Sequence, residues 1–180
     1  MTPSTKCIMM LHGVWSNESD LLALSKHFPE EYLIISLRWP FSLWNGRFAW
    51  YPVDFSSGKP VYTTQDVETW YREIITCIDE VSLQFDIHPK NIFLMGFSQG
   101  AMMSFYTLWR SPEKIGGMIA LSWRLLAEID TDTVDEDEYR GKRIFNGMGL
   151  MMRWFRWSRR VLWVHLHGSS VSSRQWSSIR

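Results

Sequence analysis

Leu94-Met95-Gly96-Phe97-Ser98-Gln99-Gly100-Ala101 is the stretch whose reading decides the fold, because it sets one serine between two glycines at the end of an apolar run. The spacing G-x-S-x-G suits a strand that reverses sharply into a helix and holds its serine in a strained turn. A side chain two residues to either side of Ser98 would collide with the neighbouring strand or the entering helix, so Gly96 and Gly100 let the turn close. The flanks agree: Asn91-Ile92-Phe93-Leu94-Met95 reads as a buried strand, and residues 101–109 (AMMSFYTLW) read as a helix. Ser98 is therefore the candidate nucleophile.

A serine that attacks a carbonyl needs donors for the oxyanion that develops, usually two backbone N–H groups, one of them from the residue after the nucleophile. Gln99 supplies that one. The other is expected from a loop after an earlier strand, and residues 6–14 (KCIMMLHGV) run from an apolar strand into His12-Gly13. The N–H of Val14 is the candidate second donor, Gly13 permits close backbone approach, and His12 is expected to brace the loop rather than to react.

Leu11-His12-Gly13, residues 17–22 (NESDLL) and residues 96–104 (GFSQGAMMS) together resemble the phospholipase/carboxylesterase family of α/β hydrolases, which includes the acyl-protein thioesterases. The resemblance covers roughly residues 5 to 147. It implies an α/β-hydrolase fold, hydrolysis of carboxylic esters or thioesters by a Ser-Asp-His triad, and no cofactor or metal. Ser98 matches directly, whereas the other two triad positions do not. In residues 142–152 (KRIFNGMGLMM) the family's His-Gly-x-x-Asp turn is expected, but Met148 stands at the histidine-like place and Met152 at the aspartate-like place. For the base, His165 and His167 close a second apolar run, Val161-Leu162-Trp163-Val164; His167-Gly168 is the preferred match and His165 the alternative. Residues 171–176 (VSSRQW) resemble the start of the family's terminal helix.

Charge marks the same break without reference to any family. Residues 1–138 carry 10 Lys and Arg against 19 Asp and Glu, a net charge of −9, while residues 139–180 carry 9 Lys and Arg and no acid, a net charge of +9. The acidic cluster from Asp130 to Glu138 reads as a solvated loop. The basic, Trp-rich segment 139–180 allows two readings: a tail for an anionic membrane or nucleic acid, or a shifted coding frame with partial recovery. The second explains why the pattern fails and then partly resumes near Ser172-Ser173, so no nucleic-acid partner is expected.

The remainder reads as one α/β domain, 1–180, with a mainly parallel sheet. Strand candidates near 6–12, 32–37, 91–96, 116–122, 142–146 and 161–166 are continuous apolar runs rather than alternating ones, as when helices cover both sheet faces. Val67, Trp70, Ile74, Ile78 and Val81 recur at helical spacing behind a capping box at Thr63–Asp66, and residues 20–28 read as a shorter helix. Residues 38–60, rich in aromatics with Gly46, Pro52, Gly58 and Pro60, read as a loop that either forms an acyl or aryl pocket or covers the sheet edge. Residues 1–6 lack the pattern of a secretory signal, no apolar run reaches the roughly 18 residues of a membrane span, and Cys7 and Cys77 read as reduced core residues. A cytoplasmic protein acting on a small ester or thioester is the expectation, and the oligomeric state is left open.

Overall fold

A computed structural model describes residues 5–39, 41–54, 56–58, 61–122, 126, 129 and 136–147, together with the backbone of 159–165 and 175–179. In chain order the elements are β1 (Lys6–Leu11), α1 (Glu18–Leu22), β2 (Tyr32–Arg38), β3 (Phe41–Ser42), β4 (Phe48–Ala49), α2 (Thr64–Phe85), β5 (Ile92–Phe97), α3 (Gln99–Arg110), β6 (Gly117–Leu121), β7 (Arg143–Gly147), β8 (Arg159–His165) and β9 (Gln175–Ile179). The main sheet has the order β7-β6-β5-β1-β2-β8-β9, parallel throughout except for the antiparallel β8–β9 pair.

The two-sided burial of this sheet explains the continuous apolar strands. Successive residues of a strand point to opposite faces, and Cys7, Met9, Leu11, Leu33, Ile35, Leu37, Ile92 and Leu94 lie in the core beneath α2 and α3. Their neighbours Ile8, Met10, Ile34 and Met95 pack on the other face with Leu21 of α1. A one-sided sheet would have required alternation with polar residues.

Helix α2 starts where the capping pattern places it: Thr63 Oγ1 accepts from the N–H of Asp66 at 3.1 Å. Its buried face is Val67, Ile74, Cys77, Ile78 and Val81, and Asp86 ends it in the left-handed conformation. Both cysteines are buried thiols outside any disulfide, and burial pushes the Cys7 thiol well above its usual range. Among the described residues, no helix is long and apolar enough to cross a membrane.

Three expectations are revised. The short helix spans Glu18–Leu22, because the Asn17 side chain caps it by accepting from the N–H of Ser19, and residues 25–27 form a separate 3-10 turn. Residues 38–60 are not loop throughout: β3 and β4 form an antiparallel hairpin. Its tip holds Asn45 and Gly46 at φ 59° and 69°, two consecutive positive values as a tight primed turn requires. Residues 175–179, which overlap the expected start of the terminal helix at 171–176, are strand β9 instead. Trp176 and Ile179 stand in register with Val164 and Val161 of β8, and aromatic and β-branched residues are enriched in strands.

Candidate active site

The site lies at the carboxyl ends of β5 and β1, adjacent in the sheet with Leu11 opposite Gly96. Ser98 follows β5 immediately and adopts φ 50°, ψ −114° before α3 begins. A non-glycine residue at positive φ outside the left-handed helical well costs of order 1–3 kcal/mol and persists only where its surroundings hold it. Those surroundings are explicit. The N–H of Ser98 donates to the C=O of Leu121 at 2.9 Å, and its C=O accepts from the N–H of Met102 at 3.0 Å, the first turn of α3.

The flanking glycines work as the sequence implies. A Cβ on Gly96 would lie 2.4 Å from the Ala101 backbone of the entering helix, and one on Gly100 would lie 2.0 Å from the Leu11 carbonyl oxygen of β1. On the other side of the serine, a Cβ on Gly13 would sit 3.5 Å from Ser98 Cβ. The loop carrying Gly13 and Val14 therefore packs directly against the serine. Among the described residues, neither Val14 nor Gln99 directs its N–H to a backbone acceptor, and Gln99 begins a twelve-residue helix whose positive end faces the turn.

His12 is a brace. Its Nδ1–H donates to the C=O of Gly13 at 2.8 Å, and its Nε2 accepts from the N–H of Trp39 at 3.4 Å, a pairing that requires the neutral ring. Burial lowers its pKa below 6.5, opposed by the Gly13 hydrogen bond and by the charges of Glu18 and Asp20. The native ring thus resists a proton that the unfolded chain accepts near pH 6.5, and stability falls as pH drops from there toward the lowered native pKa. Urea midpoints measured from pH 7.5 to 5 are expected to decline more steeply for the native chain than for His12→Asn; parallel slopes would show that His12 is not held neutral.

The aromatic segment divides between the two roles the sequence left open. Trp39, Trp50 and Tyr51 are buried in the core, with Trp39 against Trp50 at 4.6 Å and against Trp70 at 4.2 Å between ring centroids. Phe41 and Trp44 of the hairpin are exposed, Trp44 by 81%, as are Trp15 and Phe97 beside the serine turn. Phe55 lies outside the described residues. The sequence reading counted Trp50 among the aromatics of residues 38–60 and missed its hydrogen bonds and those of the Gln99 side chain: the backbone N–H of Trp50 donates to Gln99 Oε1 at 2.8 Å, Gln99 Nε2–H donates to the C=O of Tyr51 at 2.9 Å, and Trp50 Nε1–H donates to the C=O of His12 at 2.6 Å. Contacts between residues 38 to 49 positions apart leave no local spacing signal.

The base and acid are not assembled by the described residues. His165 ends β8 opposite Arg38 of β2, and β1 and β2 stand between β8 and β5. Three strand spacings separate the two strands by about 14 Å, whereas a base takes a proton at about 3 Å. His167, Met148 and Met152 lie outside the described residues. Asp137 and Glu138 of the acidic cluster are exposed, as a solvated loop predicts. Among the described residues, no group of three or more His, Cys, Asp or Glu could hold a metal.

Known proteins resemble this chain in sequence and in fold. The chain is 26% identical to acyl-protein thioesterase 1 of Kluyveromyces lactis over 159 residues, 82% of this chain and 69% of that protein. It is 33% identical to acyl-protein thioesterase 1 of Candida albicans over 129 residues, 64% of this chain and 55% of that protein. A carboxylesterase from Mesorhizobium loti superposes with a TM-score of 0.65 at 13% identity, covering 78% of this chain and 64% of its own. A Bacillus cereus carboxylesterase does so at 0.59 and 18% identity, covering 93% and 82%. These two establish the α/β-hydrolase fold. The family model described as phospholipase/carboxylesterase matches residues 1–136, a span that runs from β1 through the serine turn and past β6, and by that match the chain belongs to the phospholipase/carboxylesterase family.

Proposed function

We propose that the protein hydrolyses carboxylic esters or acyl thioesters through an acyl-enzyme at Ser98, without a cofactor, on small substrates and in the cytoplasm. The observation that carries this reading is the positive-φ serine held between Gly96 and Gly100 with the Gly13 loop packed against it. Ser98 Oγ attacks the carbonyl carbon, a histidine takes the hydroxyl proton, and the oxyanion accepts hydrogen bonds from the N–H groups of Val14 and Gln99. Collapse of the tetrahedral intermediate expels the alcohol or thiol, which takes the proton, and water then cleaves the acyl-enzyme by the same route in reverse. His167 is the histidine assigned to this step. The name shared by the two yeast relatives favours thioesters.

Turnover is expected to be slow. Within residues 139–180 no side-chain carboxylate stands where the family resemblance places the triad acid; a histidine without that partner has no fixed tautomer, and its loss in serine proteases lowers kcat by about 10⁴. p-Nitrophenyl butyrate and a butyryl thioester, offered to the full chain at matched concentration, are expected to show slow steady turnover, faster on the thioester. Absence of release from both, by protein that melts cooperatively, contradicts the reading.

One observation favours a second reading: β8 joins the sheet on the flank away from β7, and its segment carries the excess positive charge. A hydrolase-shaped binding protein that uses residues 139–180 would associate with anionic vesicles in a salt-sensitive manner and hydrolyse nothing.

A further inference from the structure

Two stretches of backbone must keep register for an oxyanion to be held at Ser98. One is the peptide between Gly13 and Val14; the other is the first residue of α3. The two are distant in sequence, and both are tied to a single residue, Trp50. The C=O and N–H of a trans peptide point in opposite directions, so the bond from His12 Nδ1–H to the Gly13 carbonyl fixes the direction of the Val14 N–H. The preceding carbonyl, that of His12, is held at 2.6 Å by Trp50 Nε1–H. The backbone N–H of the same tryptophan is held by Gln99 Oε1 at 2.8 Å, and the next carbonyl, that of Tyr51, accepts from Gln99 Nε2–H at 2.9 Å.

We infer that Trp50 is a positioning residue that locks the Val14 and Gln99 N–H groups into one rigid oxyanion cradle, joining the two loops through its indole N–H and its backbone N–H. This rests on the Ser98 reading for its catalytic consequence, although the coupling itself is a property of the fold. A tryptophan placed only for packing can go without an acceptor: the neighbouring Trp39 is fully buried and its Nε1 has no partner among the described residues. Trp50 is equally buried, yet it spends both of its donors on the two halves of the site. Its ring lies 5.6 Å from the His12 ring and 4.6 Å from Trp39, so the brace and its anchor form one packed unit. Because each carbonyl has an alternative orientation once its donor is gone, loss of Trp50 Nε1–H frees the His12-Gly13 turn to rotate.

The test compares the full-length protein with Trp50→Phe, which keeps an aromatic ring and removes the indole donor, and with Gln99→Met, which keeps the side-chain length and removes the clamp. Three quantities are read: kcat and KM on the p-nitrophenyl ester, the thermal transition, and the backbone amide resonances of Val14 and Gln99. Expected is a ten- to hundredfold fall in kcat for either variant, in keeping with the cost of a small misplacement of catalytic groups, with KM changed less than twofold. The two amide resonances should shift in both variants while those of α2 stay in place. The double variant should be no slower than the slower single one, because both act through one relay. A rise confined to KM, or Val14 and Gln99 resonances unmoved in folded Trp50→Phe, overturns the inference. Should Trp50→Phe fail to melt cooperatively, Gln99→Met decides by the same criteria. A native protein that releases no product contradicts the Ser98 reading, and the amide comparison then decides the coupling by itself.

Discussion

Ser98→Ala is expected to lower kcat on an aryl ester or thioester by about 10²-fold: removing the nucleophile of a complete triad costs about 10⁶, of which a chain without the triad acid has already given up about 10⁴. Stability should hardly change. The Ser98 side chain makes no capping hydrogen bond to α3, and alanine at φ 50° carries the same Cβ and therefore the same backbone strain. Ser98→Gly separates the two effects: it is equally inactive, yet it relieves the positive-φ conformation and should gain about 1 kcal/mol. An inactive but more stable glycine variant would show that the fold spends stability to present this hydroxyl, the usual trade at a strained site. Urea unfolding of the three proteins beside their kcat values checks both parts. Unchanged turnover in Ser98→Ala would place the chemistry elsewhere.

Gly100→Ala should be the most damaging single-methyl change near the site. Its Cβ would meet the Leu11 carbonyl oxygen at 2.0 Å, the Leu11 carbonyl carbon at 2.5 Å and the His12 oxygen at 2.6 Å, all of them backbone atoms that cannot rotate away. Alanine would otherwise favour a helix by about 1 kcal/mol over glycine. The clash outweighs that gain, because α3 must move off β1, and a loss of about 4 kcal/mol or more is expected. The same movement displaces the Gln99 N–H and should lower kcat by about 10² in whatever fraction remains folded. Gly58→Ala is the control: no atom lies within 4 Å of its Cβ, and only its φ of 76° is strained, so it should cost about 1 kcal/mol. Equal urea midpoints for the two variants would mean that α3 does not abut β1 as described.

The sheet was legible because its signal is local. Runs such as Ile8-Met9-Met10-Leu11 and Leu33-Ile34-Ile35 are apolar on successive residues only because both faces are covered, and residues 92–97 end on a turn whose glycines have a steric reason. The β3–β4 hairpin was less legible because the Asn45-Gly46 turn signal sits in a segment whose aromatics also suit a loop. Trp39, Trp50 and Tyr51 turned inward while Phe41 and Trp44 turned outward, a division that residue type alone does not specify. The turn that carries the candidate nucleophile, Ser98 with its flanking glycines, could be read from five residues. The Trp50–Gln99–His12 relay could not, since it is built from hydrogen bonds between distant loops.

The C-terminal part departs most from the sequence expectation, and the reason is physical. Edge strand β7 leaves Ile144 and Phe145 about half exposed, at 52% and 49%, where a family-like continuation would be expected to cover them. The following strand pairs instead beside β2, at the other side of the sheet. Strand patterns fix which residues form strands but not which edge they join.

The most direct measurement is the site of covalent trapping. A fluorophosphonate, whose phosphorus is attacked by an activated serine with loss of fluoride, is incubated with the folded full-length protein, followed by intact-mass analysis and peptide mapping. One phosphonyl adduct per chain, carried on Ser98 and absent from Ser98→Ala, is the expected result. An unmodified protein, or an adduct on any other residue, would contradict the claim that Ser98 is the nucleophile of a hydrolase.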